Sequence, residues 1–193
     1  MFKKISVIIF LIVLLIIAFI FMGKKSKLKT SSQKNPTYVA TLKTSVGDII
    51  IELNKDQTPL TVKNFVTLAK KKFYDNTIFH RTIAGFMIQG GDPKGDGTGG
   101  PGYKFDDESF TGDYNRGTVA MANSGPNTNG SQFFIMHADN PLPKNYVIFG
   151  HVTEGLDVVD NIAEAPVKPN PYSGEASIPV NPVVIKSVMI QEE

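Results

Sequence analysis

Apolar and polar positions change rhythm three times along the chain. Residues 5–22 are apolar at every position except Ser6. Residues 23–37, GKKSKLKTSSQKNPT, are polar and basic with no apolar period. From residue 38 onward the pattern is that of short strands separated by turns. Residues 38–44 and 48–53 are two β-rich runs around Ser45-Val46-Gly47, which predicts a hairpin. Thr58-Pro59 then pairs an N-cap with a first-turn proline, and Val62, Phe65, Val66 and Ala69 recur at helical spacing behind it. A helix over 59–72 follows, with Lys70-Lys71-Lys72 as its solvated last turn.

Further strands are expected at 77–83, 86–89, 118–122, 132–136, 146–152 and 182–191, and a second helix at 155–164 on the spacing of Leu156, Val159 and Ile162. Residues 90–117 are Gly-rich and irregular, and are expected to be mostly loop. The fold class this implies is mainly β: a closed eight-stranded antiparallel β-barrel capped by two α-helices, preceded by one N-terminal transmembrane helix.

As a helix the 18 apolar positions span about 27 Å, close to the ~30 Å hydrocarbon core. The run ends Phe19-Ile20-Phe21-Met22-Gly23 with no small-x-small cleavage site, which favours an uncleaved anchor over a removed signal peptide. The organisation read from the pattern is a basic N-terminus at 1–4, the anchor at 5–22, a flexible basic linker at 23–37 and one domain at 38–191. The lysines after the apolar run, counted literally, place the domain in the cytoplasm. Long domains translocate regardless of such charges, and a Cys-free chain suits an exported location, so an extracytoplasmic domain held at the membrane is the expectation.

Composition sharpens this. The net charge of +2 averages unlike segments: residues 1–35 carry seven Lys and no acid, which leaves 13 basic against 18 acidic side chains elsewhere. A net-acidic domain has no general attraction for nucleic acid, and none is expected as a partner. Zero Cys excludes disulfides, thiolate metal sites and cysteine nucleophiles. His80, His137 and His151 lack metal-ligand spacing, so no metal is expected. Gly95–Gly100 matches G-x-G-x-x-G, but Pro101-Gly102 follows where a helix would have to start, so a surface loop is expected and no nucleotide cofactor. Asp106-Asp107-Glu108 lacks a calcium-loop period and reads as an exposed acidic turn; the Asn129-Gly130-Ser131 sequon lies in a tight loop and is discounted.

Alternation through 78–83 puts Phe79, Arg81 and Ile83 on one face and Ile78, His80 and Thr82 on the other. An Arg among large apolar neighbours is unfavourable unless it is paired or has a use, and a surface carboxylate is its ordinary partner.

The stretches FHRTIAGFMIQGGDPKGDGTGGPGYKFDDE, VAMANSGPNTNGSQFFI and YVIFGHV, in that order and spacing, closely resemble the cyclophilin family of peptidyl-prolyl cis-trans isomerases over about residues 38–190. The resemblance implies a monomeric isomerase that acts on proline-containing polypeptides without a cofactor. It assigns Arg81 as the catalytic arginine and Phe86, Met87, Phe134 and Leu142 as the wall of a proline pocket. Gln89, Ala122, Asn123 and Gln132 become the groove for the peptide backbone, with Gly97, Ser124 and Thr128 near a neighbouring pocket and Tyr146 at the rim. Many family members carry a Trp before the pocket leucine; this chain has none, and Asn140-Pro141 fills that stretch. A non-catalytic proline-binding module or holdase on the same fold is the competing reading, and it has no need of Arg81.

Overall fold

The computed structural model describes residues 37–192; the anchor and linker expected at 5–37 lie outside the described residues apart from Thr37. Eleven strands and two helices follow in the order β1 (Tyr38–Thr44), β2 (Asp48–Leu53), α1 (Pro59–Lys70), β3 (Thr77–Ile78), β4 (Arg81–Ile83), β5 (Met87–Gly90), β6 (Thr118–Met121), β7 (Phe133–Met136), β8 (Ile148–Glu154), α2 (Leu156–Ala163), β9 (Val167–Pro169), β10 (Ala176–Pro179) and β11 (Val184–Glu192). Among the described residues, no helix is long and apolar enough to cross a membrane.

Nine strands form one antiparallel sheet in the order β3-β11-β1-β2-β8-β6-β7-β5-β4, and β9 with β10 forms a separate two-stranded ribbon. This corrects the expected closed eight-stranded barrel in two ways. The ladder has nine strands, and it curls without closing, because no ladder joins its edges β3 and β4. Those edges are consecutive pieces of one segment, separated only by Phe79-His80, and so have no turn in which to fold back on each other. The interruption also breaks the alternation expected through 78–83. Phe79 is fully buried in the main core, whereas Ile83 packs against a second apolar cluster and Arg81 is half-exposed. The ribbon of β9 and β10 is an addition to the expected elements. Its strands are three and four residues long, and the Pro- and Gly-containing segment around them has the composition of a loop.

Every second residue of the sheet points inward. Thr82 on β4, Ile88 on β5, Ile135 on β7 and Val119 on β6 stand opposite one another in register and are fully buried. Five aromatic rings fill much of the space beneath. Phe65 from α1 meets Tyr74, Phe133 and Phe149 at 5.1–5.6 Å between centroids, and Phe79 meets Phe133 edge-on at 6.5 Å. Tilted and edge-to-face pairs of this kind add to the burial of the rings themselves. In α1, Val62, Phe65, Val66 and Ala69 form the buried stripe that the sequence spacing requires, joined by Thr61 and Leu68.

The start of α1 departs from expectation. Thr58 occupies the N-cap position, but its hydroxyl donates to the carbonyls of Asn54 and Ile148 and makes no cap. Glu108 caps the helix instead, from 48 residues away. Its carboxylate accepts from Leu60 N at 2.9 Å, from Thr61 N at 2.6 Å and from the Thr61 hydroxyl at 2.6 Å. A carboxylate at a helix N-terminus satisfies orphan donors and meets the positive end of the dipole. Within the acidic segment at 106–108, Asp106 and Asp107 are exposed as expected, but the segment also acts as a clasp: Glu108 is half-buried, and Asp107 receives the side-chain amide of Asn129 at 2.7 Å.

Two outcomes are expected. Glu108→Ala should lower the urea-unfolding free energy by about 0.5–2 kcal/mol, the usual range for removal of a helix cap, while an unchanged midpoint would show the clasp to be incidental. His80 is 8% exposed, and neither ring nitrogen has a hydrogen-bond partner among the described residues. Burial pushes its imidazole below the ordinary 6.5, outweighing the opposing pull of Asp92. The unfolded chain then binds a proton that the native chain resists, so stability rises with pH in the window below 6.5 and is fully present above it. Unfolding midpoints followed from about pH 7 to about pH 5 should fall less in His80→Gln than in the parent.

Candidate functional site

The residues that face outward from the same strands make the site. Arg81 on β4 stands opposite Gln89 on β5, which stands opposite Phe134 on β7, then Ala120 on β6 and Ile148 on β8. One pleat further along, Ile83, Met87 and Met136 form a parallel row. Together these rows build a second apolar cluster on the outer face. Met87, Phe134, Met136 and Ile148 are buried within it, and Phe86, Ala122, Leu142 and Tyr146 pack half-buried around them. The sequence-predicted pocket wall of Phe86, Met87, Phe134 and Leu142 is thus brought together, with the rim residue Tyr146 beside it.

Hydrogen bonds fix the edges of this shelf. The Tyr146 ring stands edge-on to Phe134, with centroids 5.5 Å apart at 85°. Behind it the Tyr114 hydroxyl donates to the Tyr146 carbonyl at 2.8 Å and accepts from the Tyr146 amide at 3.0 Å. Burial pushes the Tyr114 phenol above its ordinary value, which keeps that proton in place. The turn carrying Phe86 is held by His137: its Nδ1 accepts the Gly85 N–H at 2.8 Å, and its backbone N–H donates to the Phe86 carbonyl at 2.9 Å. Because Nδ1 accepts, the ring proton sits on Nε2, 3.3 Å from the Asp160 carboxylate.

A polar arm runs away from the shelf. Gln89 Nε2 donates to Gln132 Oε1 at 2.9 Å, and Gln132 Nε2 donates to the carbonyls of Gly97 and Gly99 at 3.0 and 2.8 Å. Asn123 donates its side-chain amide to the Asn145 carbonyl at 2.8 Å. Between these groups lies a groove of about 820 Å³, bordered by Gln89, Ala122, Asn123, Gln132, Ser124, Thr128 and the 97–104 loop. Phe134, Met87 and Leu142 do not line it. The predicted site is therefore two surfaces, an apolar shelf and an adjoining polar groove, which meet along the outward face that carries Gln89 and Ala122.

The groove wall explains the Gly-rich sequence. Asp92 is fully buried, and its carboxylate accepts backbone N–H groups of Lys94 at 2.8 Å, Asp96 at 3.2 Å and Gly97 at 2.6 Å. The loop wraps so closely that a Cβ on Gly99 would lie 1.9 Å from Asp92 Oδ1. Gly99 serves backbone approach to a buried carboxylate, and the loop, beyond being the expected surface feature, is one side of the groove.

Arg81 sits at the other end, on the edge strand. Its Nε donates to Glu175 Oε2 at 2.7 Å and its Nη2 to Glu175 Oε1 at 2.8 Å. Nη1 faces the shelf at longer range, 3.4 Å from Gln89 Oε1 and 3.7 Å from Met87 Sδ. The guanidinium carbon lies 5.8 Å from the Phe86 ring centroid. The Arg81 guanidinium in turn holds the Glu175 carboxyl below the usual carboxylate range. The sequence allows a carboxylate partner for Arg81 but has no means to name Glu175, 94 residues away beside a ribbon too short to show a period. Tyr114 and Asp92 escape sequence reasoning for the same reason, since their roles are contacts across the fold.

Residues 39–190 match the family described as cyclophilin type peptidyl-prolyl cis-trans isomerase/CLD. Peptidyl-prolyl cis-trans isomerase-like 3 of Gallus gallus is 46% identical over 156 residues, covering 78% of this chain and 94% of the relative. Peptidyl-prolyl cis-trans isomerase B of Streptomyces anulatus is 46% identical over 175 residues, covering 79% and 95%. Among solved structures, a cyclophilin type isomerase of Cryptosporidium parvum superposes with a TM-score of 0.74 at 38% identity, covering 81% of this chain and 99% of its own. A second structure of that protein, obtained in the presence of the dipeptide Ala-Pro, gives 0.70 at 38% identity, covering 80% and 99%. A matched region that takes in nearly the whole described domain, with the outward rows of β4, β5, β6 and β7 inside it, places this chain in the family of cyclophilin-type peptidyl-prolyl cis-trans isomerases.

Proposed function

We propose that this isomerase rotates Xaa–Pro bonds at the junction of shelf and groove, with Arg81 as the group that acts on the reacting amide. Rotation about a peptide bond is opposed by resonance, with a barrier of ~18–20 kcal/mol. In the twisted state the prolyl nitrogen becomes pyramidal and regains its lone pair. A donor aimed at that lone pair stabilises the twisted state more than either planar one, which is the condition for acceleration. Arg81 suits this role because the guanidinium stays charged and Nη1 faces the shelf with only long contacts to Gln89 and Met87.

The observation that carries this reading is the position of Arg81 Nη1 beside an apolar shelf formed by Phe86, Met87, Phe134 and Leu142. A proline ring seated on that shelf puts its nitrogen within reach of the edge strand. Backbone of the flanking residues meets Gln89, Asn123 and Gln132, which hold the chain on one side while the bond turns. No covalent bond forms or breaks, so catalysis rests on orientation and electrostatics alone. Clients are proline-containing polypeptides, and the domain acts as a monomer.

The proposal extends to the cell context. Residues 5–22 are an uncleaved membrane anchor, residues 23–37 a basic tether, and the domain works extracytoplasmically on exported or membrane-adjacent chains. Support comes from the apolar run itself, its length and the missing cleavage site.

In a protease-coupled assay on an Ala-Pro peptide, Arg81→Ala should lower kcat/KM at least about tenfold, equivalent to ~1.4 kcal/mol of transition-state stabilisation, with the domain still folded. Near-parental activity in a folded variant would remove Arg81 from the mechanism. Alkaline extraction should leave the full 21.1 kDa chain in the membrane fraction. External protease should digest the domain in intact wall-stripped cells, whereas protection there with digestion after lysis would put the domain on the cytoplasmic side.

A further inference from the structure

The guanidinium of Arg81 has two unlike edges. Nε and Nη2 are occupied by both oxygens of Glu175 at 2.7 and 2.8 Å, a fork-to-fork pair. Among the described residues Nη1 has only weak contacts, at 3.4 and 3.7 Å. An arginine carried on a three-residue edge strand, with its side chain about one-third exposed, has several rotamers of similar energy unless something holds the planar group. Bidentate geometry supplies this, because two parallel charge-assisted hydrogen bonds fix the plane as well as the distance.

Glu175 is delivered to this place by a built turn. The Asn170 side chain accepts from Tyr172 N at 2.9 Å and Ser173 N at 3.3 Å. The Asn170 amide donates to the Glu175 carbonyl at 2.7 Å, and the Gly174 amide donates to the Asn170 carbonyl at 2.8 Å. Gly174 takes φ +74°, a backbone conformation that side chains disfavour. The Glu175 amide donates to Ser173 Oγ, so the residue is pinned at its own backbone. Behind it β10 packs against β4, the strand that carries Arg81. The ribbon of β9 and β10 thus presents one carboxylate to one guanidinium from a defined backbone position.

We infer that Glu175 is a positioning residue for the isomerisation, holding the Nε and Nη2 edge of Arg81 so that Nη1 is turned toward the prolyl nitrogen. This rests on the assignment of Arg81 given above. Two effects of the carboxylate oppose each other. It reduces the positive field at the reacting nitrogen, and it removes the orientational freedom of the donor. With both side chains about one-third exposed, at 32% and 38%, water screens the first effect, while the geometric restraint is not screened. The restraint therefore prevails, and the donor is ordered during folding and not during catalysis.

The test is a cycle of Glu175→Gln and Arg81→Ala in the full chain, with kcat and KM measured separately on an Ala-Pro peptide. Glu175→Gln keeps the size of the side chain but permits only one good acceptor contact. It should lower kcat about fivefold with KM little changed, as expected when a transition-state interaction is loosened. In the Arg81→Ala background the same substitution should have no effect, because the two residues act as one unit. A second readout does not depend on turnover: the Arg81 Nε–Hε resonance, slowly exchanging in the parent, should exchange fast in Glu175→Gln. Higher activity in Glu175→Gln would make Glu175 a competitor for Arg81 and overturn the inference. Unchanged kcat with unchanged exchange, or an equal loss with and without Arg81, would overturn it as well. If Arg81→Ala were itself fully active, the catalytic assignment would fall, and this inference with it. Full loss in Arg81→Ala beside a silent Glu175→Gln would remove the positioning role alone.

Discussion

Antiparallel register among β4, β5, β7 and β6 decides both what is buried and what is displayed. In one row Thr82, Ile88, Ile135 and Val119 face the interior, and in the adjacent row Arg81, Gln89, Phe134 and Ala120 face out. Side chains alternate with period two, so a slip of one residue would exchange the rows. Arg81 and Gln89 would then point at the ring cluster of Phe65, Tyr74 and Phe133, where a charge and an amide have no partners. The penalty for burying such groups is large compared with the stability of a domain. Core packing therefore enforces the arrangement of the site, and the site needs no separate device to hold its four strands in order.

The strands place the shelf, but the groove depends on loops, and the loops are held by polar groups that range from the fully buried Asp92 to the exposed Asp107. Asp92 gathers three amides of the 92–97 segment, Asn129 and Asp107 join the loop ahead of β7 to the long 105–117 stretch, and Glu108 ties that stretch to α1. Each is a carboxylate or amide whose hydrogen bonds run mainly to backbone or to one another, with the Thr61 hydroxyl on Glu108 as an addition. Such bonds are short-range and directional, which suits a loop whose apolar content is too small to pack by itself. The Gly-rich stretch between β5 and β6 is rigid at its base because Asp92 fixes it, and open at its far end, where Gly100 and Gly102 meet nothing in their Cβ directions.

Local pattern alone makes much of this legible. The bounds of β1 and β2 coincide with the alternating runs, and the buried stripe of α1 with the 3.6-residue spacing of Val62, Phe65, Val66 and Ala69. Motifs such as GFMIQGGD and GPNTNGSQFFI are long enough to mark the family, and the fold brings residues from them, Met87, Gln89, Gln132 and Phe134 among them, to one face. What escapes has a common physical character. Thr58 looks like a cap, yet the helix is capped by Glu108, because capping is a contact and a contact can come from anywhere in the chain. The break at Phe79-His80 leaves no mark in an apolar alternation that continues through it. The β9–β10 ribbon is held by Asn170, Gly174 and Glu175 in a segment whose strands are too short to show a period. Strand count suggests a closed barrel, but it cannot tell a closed ladder from one whose two edges are pieces of a single segment.

An isomerase of a single bond makes modest demands on chemistry and strict ones on geometry. Nothing is transferred, so the barrier falls only by as much as the surface prefers a twisted amide to a planar one. An apolar shelf cannot supply that preference alone, because a proline ring buries nearly the same area in all three states. The amides of Gln89, Asn123 and Gln132 cannot supply it either, since flanking backbone away from the rotating bond changes little. Discrimination must come from a donor whose partner exists only when the amide is twisted, which is the role proposed above for Arg81. Its place on an edge strand suits that proposed role. A central strand would surround the guanidinium with neighbours that satisfy it fully, whereas the edge leaves one nitrogen loosely engaged and open to the substrate. The edge also leaves the head group unsupported from one side, and that is the side from which the β9–β10 ribbon brings Glu175.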